Sequence, residues 1–125
     1  MKEKKVEFYK NNKKIAQINC EIAKNIFEKT KGLMYREKLA KDKGMLFTFY
    51  IPWIRAFWMK NVNFPLDIIF VNRKNKIINI YEAPLENNFL KKIYFSKGFC
   101  RYVIETNINF CKENNIEKND RIMIK

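Results

Sequence analysis

Histidine is absent from this chain of 125 residues, and Ser96 is its only serine. Without an imidazole there is no Ser-His-Asp triad, no Cys-His dyad, no histidine base and no histidine metal ligand. Acid–base chemistry would fall to carboxylates, lysine, tyrosine or cysteine. Glycine is scarce as well. Gly32, Gly44 and Gly98 are the full set, too scattered for a phosphate-cradling loop. Cys20, Cys100 and Cys111 are odd in number and contain no Cys-x-x-Cys spacing. They read as buried apolar side chains, with no disulfide framework, no metal site and no cofactor expected. No run approaches the roughly 20 apolar residues that a membrane-spanning helix needs. The start, Met1-Lys2-Glu3-Lys4-Lys5, leads into alternation and not into the apolar centre of a secretion signal, so a cytoplasmic domain is expected.

What is present is apolar and basic. Hydrophobic residues make up 47% of the chain and aromatics 15%, enough for a core and too much for a disordered polymer. The length suits one domain spanning residues 1–125. The net charge of +13 raises nucleic acid as a partner. Only five of the 26 basic residues are arginine (Arg36, Arg55, Arg73, Arg101 and Arg121), whereas base reading and phosphate clamping favour its planar fork. Lysine, isoleucine and asparagine rise together, as under a compositional bias, so a solvated lysine surface is the plainer reading.

Along the chain, Lys5 to Tyr9 and Ile15 to Ile22 alternate around Asn11-Asn12, which predicts a hairpin. Helical spacing predicts a helix from about Ala23 to Lys31, with Gly32 as its cap. Short strands follow at Met45–Tyr50, Arg55–Lys60, Leu66–Val71 and Lys76–Tyr81, the last two joined by the turn Asn72–Asn75. A looser stretch, Ala83 to Gly98, precedes a strand at Phe99–Thr106, a short helix near Asn109–Asn114 and a strand at Arg121–Ile124. Strands this closely spaced predict a mainly β (α+β) fold, a compact antiparallel barrel or jelly-roll-like sandwich with one or two short helices.

Charged residues threaded through these runs are the candidate site. Arg36 reads as a bidentate anion ligand or as a structural ion pair. Strand alternation puts Ala56, Trp58 and Lys60 on one face, with Phe57 and Met59 on the other. Asp67 opens an otherwise apolar strand and must be paired, hydrogen-bonded or at a cavity mouth. Glu105 shares a face with Val103 and points into apolar company or a cleft. Its bland partners are Arg36 or Arg101; those of Asp67 are Lys60 or Arg36. Asp67 and Glu105, if neighbours, could serve as acid and base. The apolar loop Ile51-Pro52-Trp53-Ile54 could dock a partner or a second copy, or simply cover the core.

Gly32-Leu33-Met34-Tyr35-Arg36, Gly44-Met45-Leu46-Phe47, Phe57-Trp58-Met59-Lys60-Asn61 and Pro65-Leu66-Asp67-Ile68-Ile69-Phe70 occur in that order, followed by Ala83-Pro84 and Tyr102-Val103-Ile104-Glu105. In this pattern the chain resembles the domain of unknown function 192 family, over about residues 15–125. The resemblance implies a compact β-rich barrel or sandwich and no assigned activity, and many relatives carry export signals. Asn109 and Asn119 stand about where the family has glycine, and asparagine tolerates the left-handed backbone such turns need.

These readings converge on a binding module for a small polar or anionic ligand, a saccharide being one candidate, with Arg36, Trp58, Lys60, Asp67 and Glu105 as the binding residues. The alternatives are a carboxylate-based hydrolase or lyase using Asp67 and Glu105, and a basic nucleic-acid-binding protein.

Overall fold

The computed structural model describes residues 2–85 and 92–125. Strands β1 (Glu3–Lys10) and β2 (Lys13–Ala23) form the expected hairpin. Asn11 and Asn12 join them with φ of 51° and 67°, the paired positive values of a type I′ turn. Helix α1 (Ile26–Lys31) starts later than the sequence predicts, because β2 runs through Ala23, which pairs with Phe47. The Asn25 Oδ1 caps it by accepting from the Glu28 N–H at 2.8 Å, and Gly32 ends it at φ 47°. The remaining elements are β3 (Lys43–Trp53), β4 (Ala56–Trp58), β5 (Leu66–Val71), β6 (Ile77–Ala83), β7 (Ile93–Phe95), β8 (Cys100–Asn107), α2 (Phe110–Glu113) and β9 (Arg121–Ile124).

Seven strands form one sheet in the order β6-β5-β8-β3-β2-β1-β9. The mainly β, sandwich-like alternative is the one observed, and two features set the sheet apart from a closed antiparallel barrel. First, β2 and β3 run parallel, because α1 and the linker after it carry the chain back to the start of the sheet, the crossover that a parallel pair requires. Second, the sheet is open. Its edges, β6 and β9, meet only at the bridge Lys76–Arg121 and a few flanking backbone hydrogen bonds. The curled sheet encloses one core, to which every one of its strands contributes, including Phe8, Ile18, Leu46, Ile69, Ile77, Ile104 and Ile122.

The other face of the central strands carries a second core, with Met45, Phe47, Ile68, Phe70 and Val103 packed under Leu33, Met59 and Tyr94. Its cover includes a two-stranded ribbon of β4 and β7. The sequence shows β7 only as part of a loose stretch, since three residues are too few to display a period; residues 86–91 of that stretch lie outside the described residues. Side chains hold the ribbon down. The Tyr81 hydroxyl donates to the Phe95 carbonyl at 3.0 Å, and Asn79 bonds both the Phe95 carbonyl and the Lys97 N–H. The fold is therefore sandwich-like, with β5 buried at all six positions.

Few glycines leave the tight backbone to asparagine. Among the described residues, seven of the eight non-glycine residues with positive φ are asparagines, Asn109 (72°) and Asn119 (76°) among them, as expected of the positions where the related family has glycine. Gly44 is different, since space alone demands it. A Cβ there would lie 2.7 Å from the Glu105 carbonyl oxygen and 3.2 Å from Cys20 Sγ. Gly44→Ala should therefore cost about 1–3 kcal/mol of stability, read from the urea midpoint. A midpoint equal to that of the native chain would show that β3 and β8 can move apart freely.

Candidate functional site

Between the second core and its cover lies an open cavity of about 400 Å³. The end of α1 and the following turn form one wall, β4 another, and β3 and β8 the floor. Phe47, Phe49, Phe57 and Trp58 line it, with Lys29 and Arg55 among them and Glu105 on the floor strand.

Four of the six segments that carry the family resemblance meet here; residues 65–70 and 83–84 do not line the cavity. Gly32, Leu33 and Met34, Phe47, Phe57 and Trp58, and Glu105 all reach the same cavity. Tyr35 explains how the first of them is held. It adopts φ 66°, a strained conformation for an aromatic residue. Two hydrogen bonds hold it to Asn61: the Tyr35 N–H donates to the Asn61 carbonyl, and the Asn61 amide donates to the Tyr35 hydroxyl, each at 2.9 Å.

Glu105 is the chemically unusual group. It sits on the central strand β8, paired to Met45 on one side and Ile68 on the other, and only 4% of it is exposed. Among the described residues no hydrogen bond or ion pair reaches its carboxyl. Desolvation alone pushes its pKa up to about 8, so at neutral pH the group is mostly a protonated acid.

Two cations face this floor. The Lys29 ammonium lies 4.4 Å from the Phe49 ring centre and the Arg55 guanidinium 4.1 Å from the same ring. Burial, with Arg55 nearby, lowers the Lys29 pKa. Arg55 is held at its backbone by Ser96, whose N–H donates to the Arg55 carbonyl and whose Oγ accepts from the Arg55 N–H, both at 2.9 Å. One guanidinium nitrogen donates to the Ile51 carbonyl, while the buried Nε has no partner.

The structure brings together two of the five residues singled out from sequence, Trp58 and Glu105. Arg36 is a structural ion pair. It grips both carboxylate oxygens of Glu21, one at 3.2 Å, and lowers the pKa of that glutamate, tying the α1–β3 linker to β2. Lys60 is exposed, 5.2 Å from the Trp58 ring centre, and outside the cavity lining. Asp67 is buried on the opposite face of the sheet. Its carboxylate accepts from the Cys111 N–H at 2.9 Å and the Asn109 N–H at 3.3 Å, capping the turn into α2. Burial raises its pKa while those amides pull it down. Asp67 and Glu105 therefore do not form a pair, because adjacent positions across the β5–β8 ladder, Asp67 opposite Thr106 and Ile68 opposite Glu105, point to opposite faces. Sequence reasoning passed over Arg55, Lys29 and Phe49. Alternation does place Arg55 on the inward face with Phe57; nothing local places Lys29 across from it.

The Glu105 carboxyl binds its proton more tightly in the fold than in the unfolded chain. That contribution to stability is fully present below the ordinary carboxylate range and is lost as pH rises toward about 8,. Glu105→Gln, which cannot ionise, should flatten the fall in urea midpoint between about pH 5 and about pH 9 and exceed the native chain at the upper end. The same decline in both proteins would place its cause elsewhere.

The pattern of domain of unknown function 192, described as an uncharacterized ACR family, matches residues 7–124. A protein from Sinorhizobium meliloti 1021, provisionally described as a transcription regulator and solved at 1.55 Å, superposes with a TM-score of 0.90 at 28% identity, covering 98% of this chain and 94% of that one. A protein of unknown function from Novosphingobium aromaticivorans DSM 12444, solved at 1.22 Å, gives 0.84 at 27% identity, covering 95% and 83%. No curated protein matches. With nearly its whole length matched, the chain belongs to the domain of unknown function 192 family.

Proposed function

We propose that this domain is a binding module for a small organic anion with an aromatic or apolar body, taken into the cavity above Glu105. The observation that carries this reading is a carboxyl, almost wholly buried and without a partner among the described residues, set in a cavity that also holds two cations. Below about pH 8 the Glu105 O–H can donate to an anionic oxygen,. The unpartnered Arg55 Nε–H is a second donor, and Lys29 adds charge. Phe47, Phe49 and Phe57 offer the apolar surface that pockets use for bulk, while the few polar groups set orientation. A saccharide would need more hydrogen-bonding groups than this lining supplies. Hydrolysis by Asp67 and Glu105 as a pair has no support, since the two face opposite sides of the sheet and, among the described residues, no second carboxylate lines the cavity with Glu105. The anion comes with a sign: ionising Glu105 sets like charge against it, so affinity falls above about pH 8,.

Phenylacetate and hexanoate are the probes for titration by amide and indole NMR. They should shift the Phe57 amide and Trp58 indole signals saturably and leave the Trp53 indole in place. Arg55→Ala should weaken the interaction about tenfold while thermal unfolding stays cooperative. A folded Arg55→Ala protein that binds as well as the native chain, or no saturable shift with either carboxylate, would refute the reading.

Nucleic-acid binding has its own support in the +13 charge and in the provisional description of the S. meliloti protein as a transcription regulator. The two helices among the described residues, of six and four residues, are too short to serve as a recognition helix in a major groove. Contact would come from lysines on phosphate and would be indifferent to sequence. A duplex mobility shift at about 50 mM salt that disappears by about 200 mM is the outcome this reading requires; no shift at the lower salt disposes of it.

A further inference from the structure

We infer that the end of the molecule formed by Tyr50–Trp53 and Phe99 docks onto the anionic headgroup layer of a lipid bilayer. This inference stands apart from the cavity and does not need it. Eight of the thirteen exposed large hydrophobic residues among those described fall in two short stretches, 50–58 and 93–99. The bridge between Trp53 and Cys100 and the β4–β7 ladder bring these stretches together. At their tip Tyr50 is 93% exposed, Ile51 65%, and Trp53 and Phe99 58% each. The Trp53 and Phe99 rings stack, 5.3 Å apart and 17° from parallel. Two large aromatic surfaces are thus held rigidly in solvent, where a monomeric soluble protein rarely leaves such a patch without use.

The surroundings select the partner. Phe99 and Pro52 share a shallow depression with Arg73 and Lys74, and Lys97 is exposed two residues from Phe99. No aspartate or glutamate occurs in 50–66, 72–76 or 92–104. Apolar and aromatic tips ringed by cations, with no carboxylate among them, match the depth at which acyl chains meet phosphates. Tryptophan and tyrosine settle at that boundary, and each nearby lysine or arginine gains from the negative surface potential. A second copy of this chain is a poor fit, because a two-fold contact would set Arg73, Lys74 and Lys97 against their own counterparts.

The test is co-sedimentation with vesicles of phosphatidylcholine alone or with about 30% phosphatidylglycerol. The protein should pellet with the anionic vesicles only. In a Trp58→Phe background, tryptophan emission from Trp53 should shift to the blue on binding. Replacing Trp53 and Phe99 together by serine should lower partitioning about tenfold or more; Ile51→Ser repeats the test should the double variant not fold. Full binding by these folded variants would reveal mere adsorption of a polycation and overturn the inference. So would a failure to bind anionic vesicles, or a dimer in sedimentation equilibrium that the double variant makes monomeric.

Discussion

A sheet covered on both faces leaves its central strands no wet side for a charge. Strand β5 is buried at every position and β8 at four consecutive ones, so a carboxylate on either strand must be compensated or must stay neutral. The molecule uses both solutions on neighbouring strands. Asp67 faces the enclosed core and is met by two backbone amides at the start of α2, which satisfy its carboxyl oxygens and fix the β8–α2 connection at once. Glu105 faces the other core and, among the described residues, meets no hydrogen-bonding or charged partner. It keeps its proton and borders a cavity. Near the sheet edge a third buried carboxylate, Glu7, takes the opposite course. Lys14, Lys125 and the Tyr9 hydroxyl hold it ionised and depress its pKa to about 2. The contrast isolates Glu105, since the same chain supplies cations or amides to its other buried acids.

The cavity owes its shape to irregular backbone as much as to the sheet. Gly32 ends α1, and Tyr35 turns the chain in the left-handed region to meet Asn61. That junction sets Met34 and Val62 along the same cavity. Across from them, Ser96 clasps the backbone of Arg55. A lone serine, which no catalytic motif claims, thus serves to set the position of a cation. Conformational strain at Tyr35 is the kind of local cost that folds tolerate where a site must be shaped.

Much of this was legible beforehand, for identifiable reasons. Leu66–Val71 reads as a strand buried on both sides because it is apolar at both parities, with Asp67 as its one exception. Asn11-Asn12 could be placed as a turn, and Asn109 and Asn119 as left-handed turn residues because they stand about where the related family has glycine and asparagine tolerates that backbone. Glu105 could be singled out because a carboxylate between Ile104 and Thr106 conflicts with its own strand. What failed was partnership. Nothing local ties Arg36 to Glu21, or Asp67 to amides more than 40 residues away. Lys29 meets Arg55 only because the parallel β2–β3 crossover sets α1 over the ribbon. The same crossover broke the antiparallel expectation, since short apolar runs alone do not reveal strand direction.

The surplus of lysine acquires meaning only from where acids are missing. Elsewhere on the surface some of the lysines are paired; Lys10 pairs with Glu117 and Asp120, Lys43 with Glu3, and Lys112 with Glu82. Such exposed pairs add little stability, but they cancel the field locally. Among the described residues no ion pair involves the cations of the ribbon stretches, and residues 50–66 and 92–104 contain no acid at all. A compositional bias toward lysine would raise positive charge everywhere; by itself it would not clear carboxylates from the same stretches that expose Trp53 and Phe99. Those stretches also contribute Ile54, Arg55 and Trp58 to the cavity. One ribbon therefore carries cations in stretches that hold no acid, exposed aromatic surface and one wall of the only cavity, among those described, that contains an unpartnered buried carboxyl. Attraction for anions at the outer surface and at the inner donors follows from the same local absence of acids.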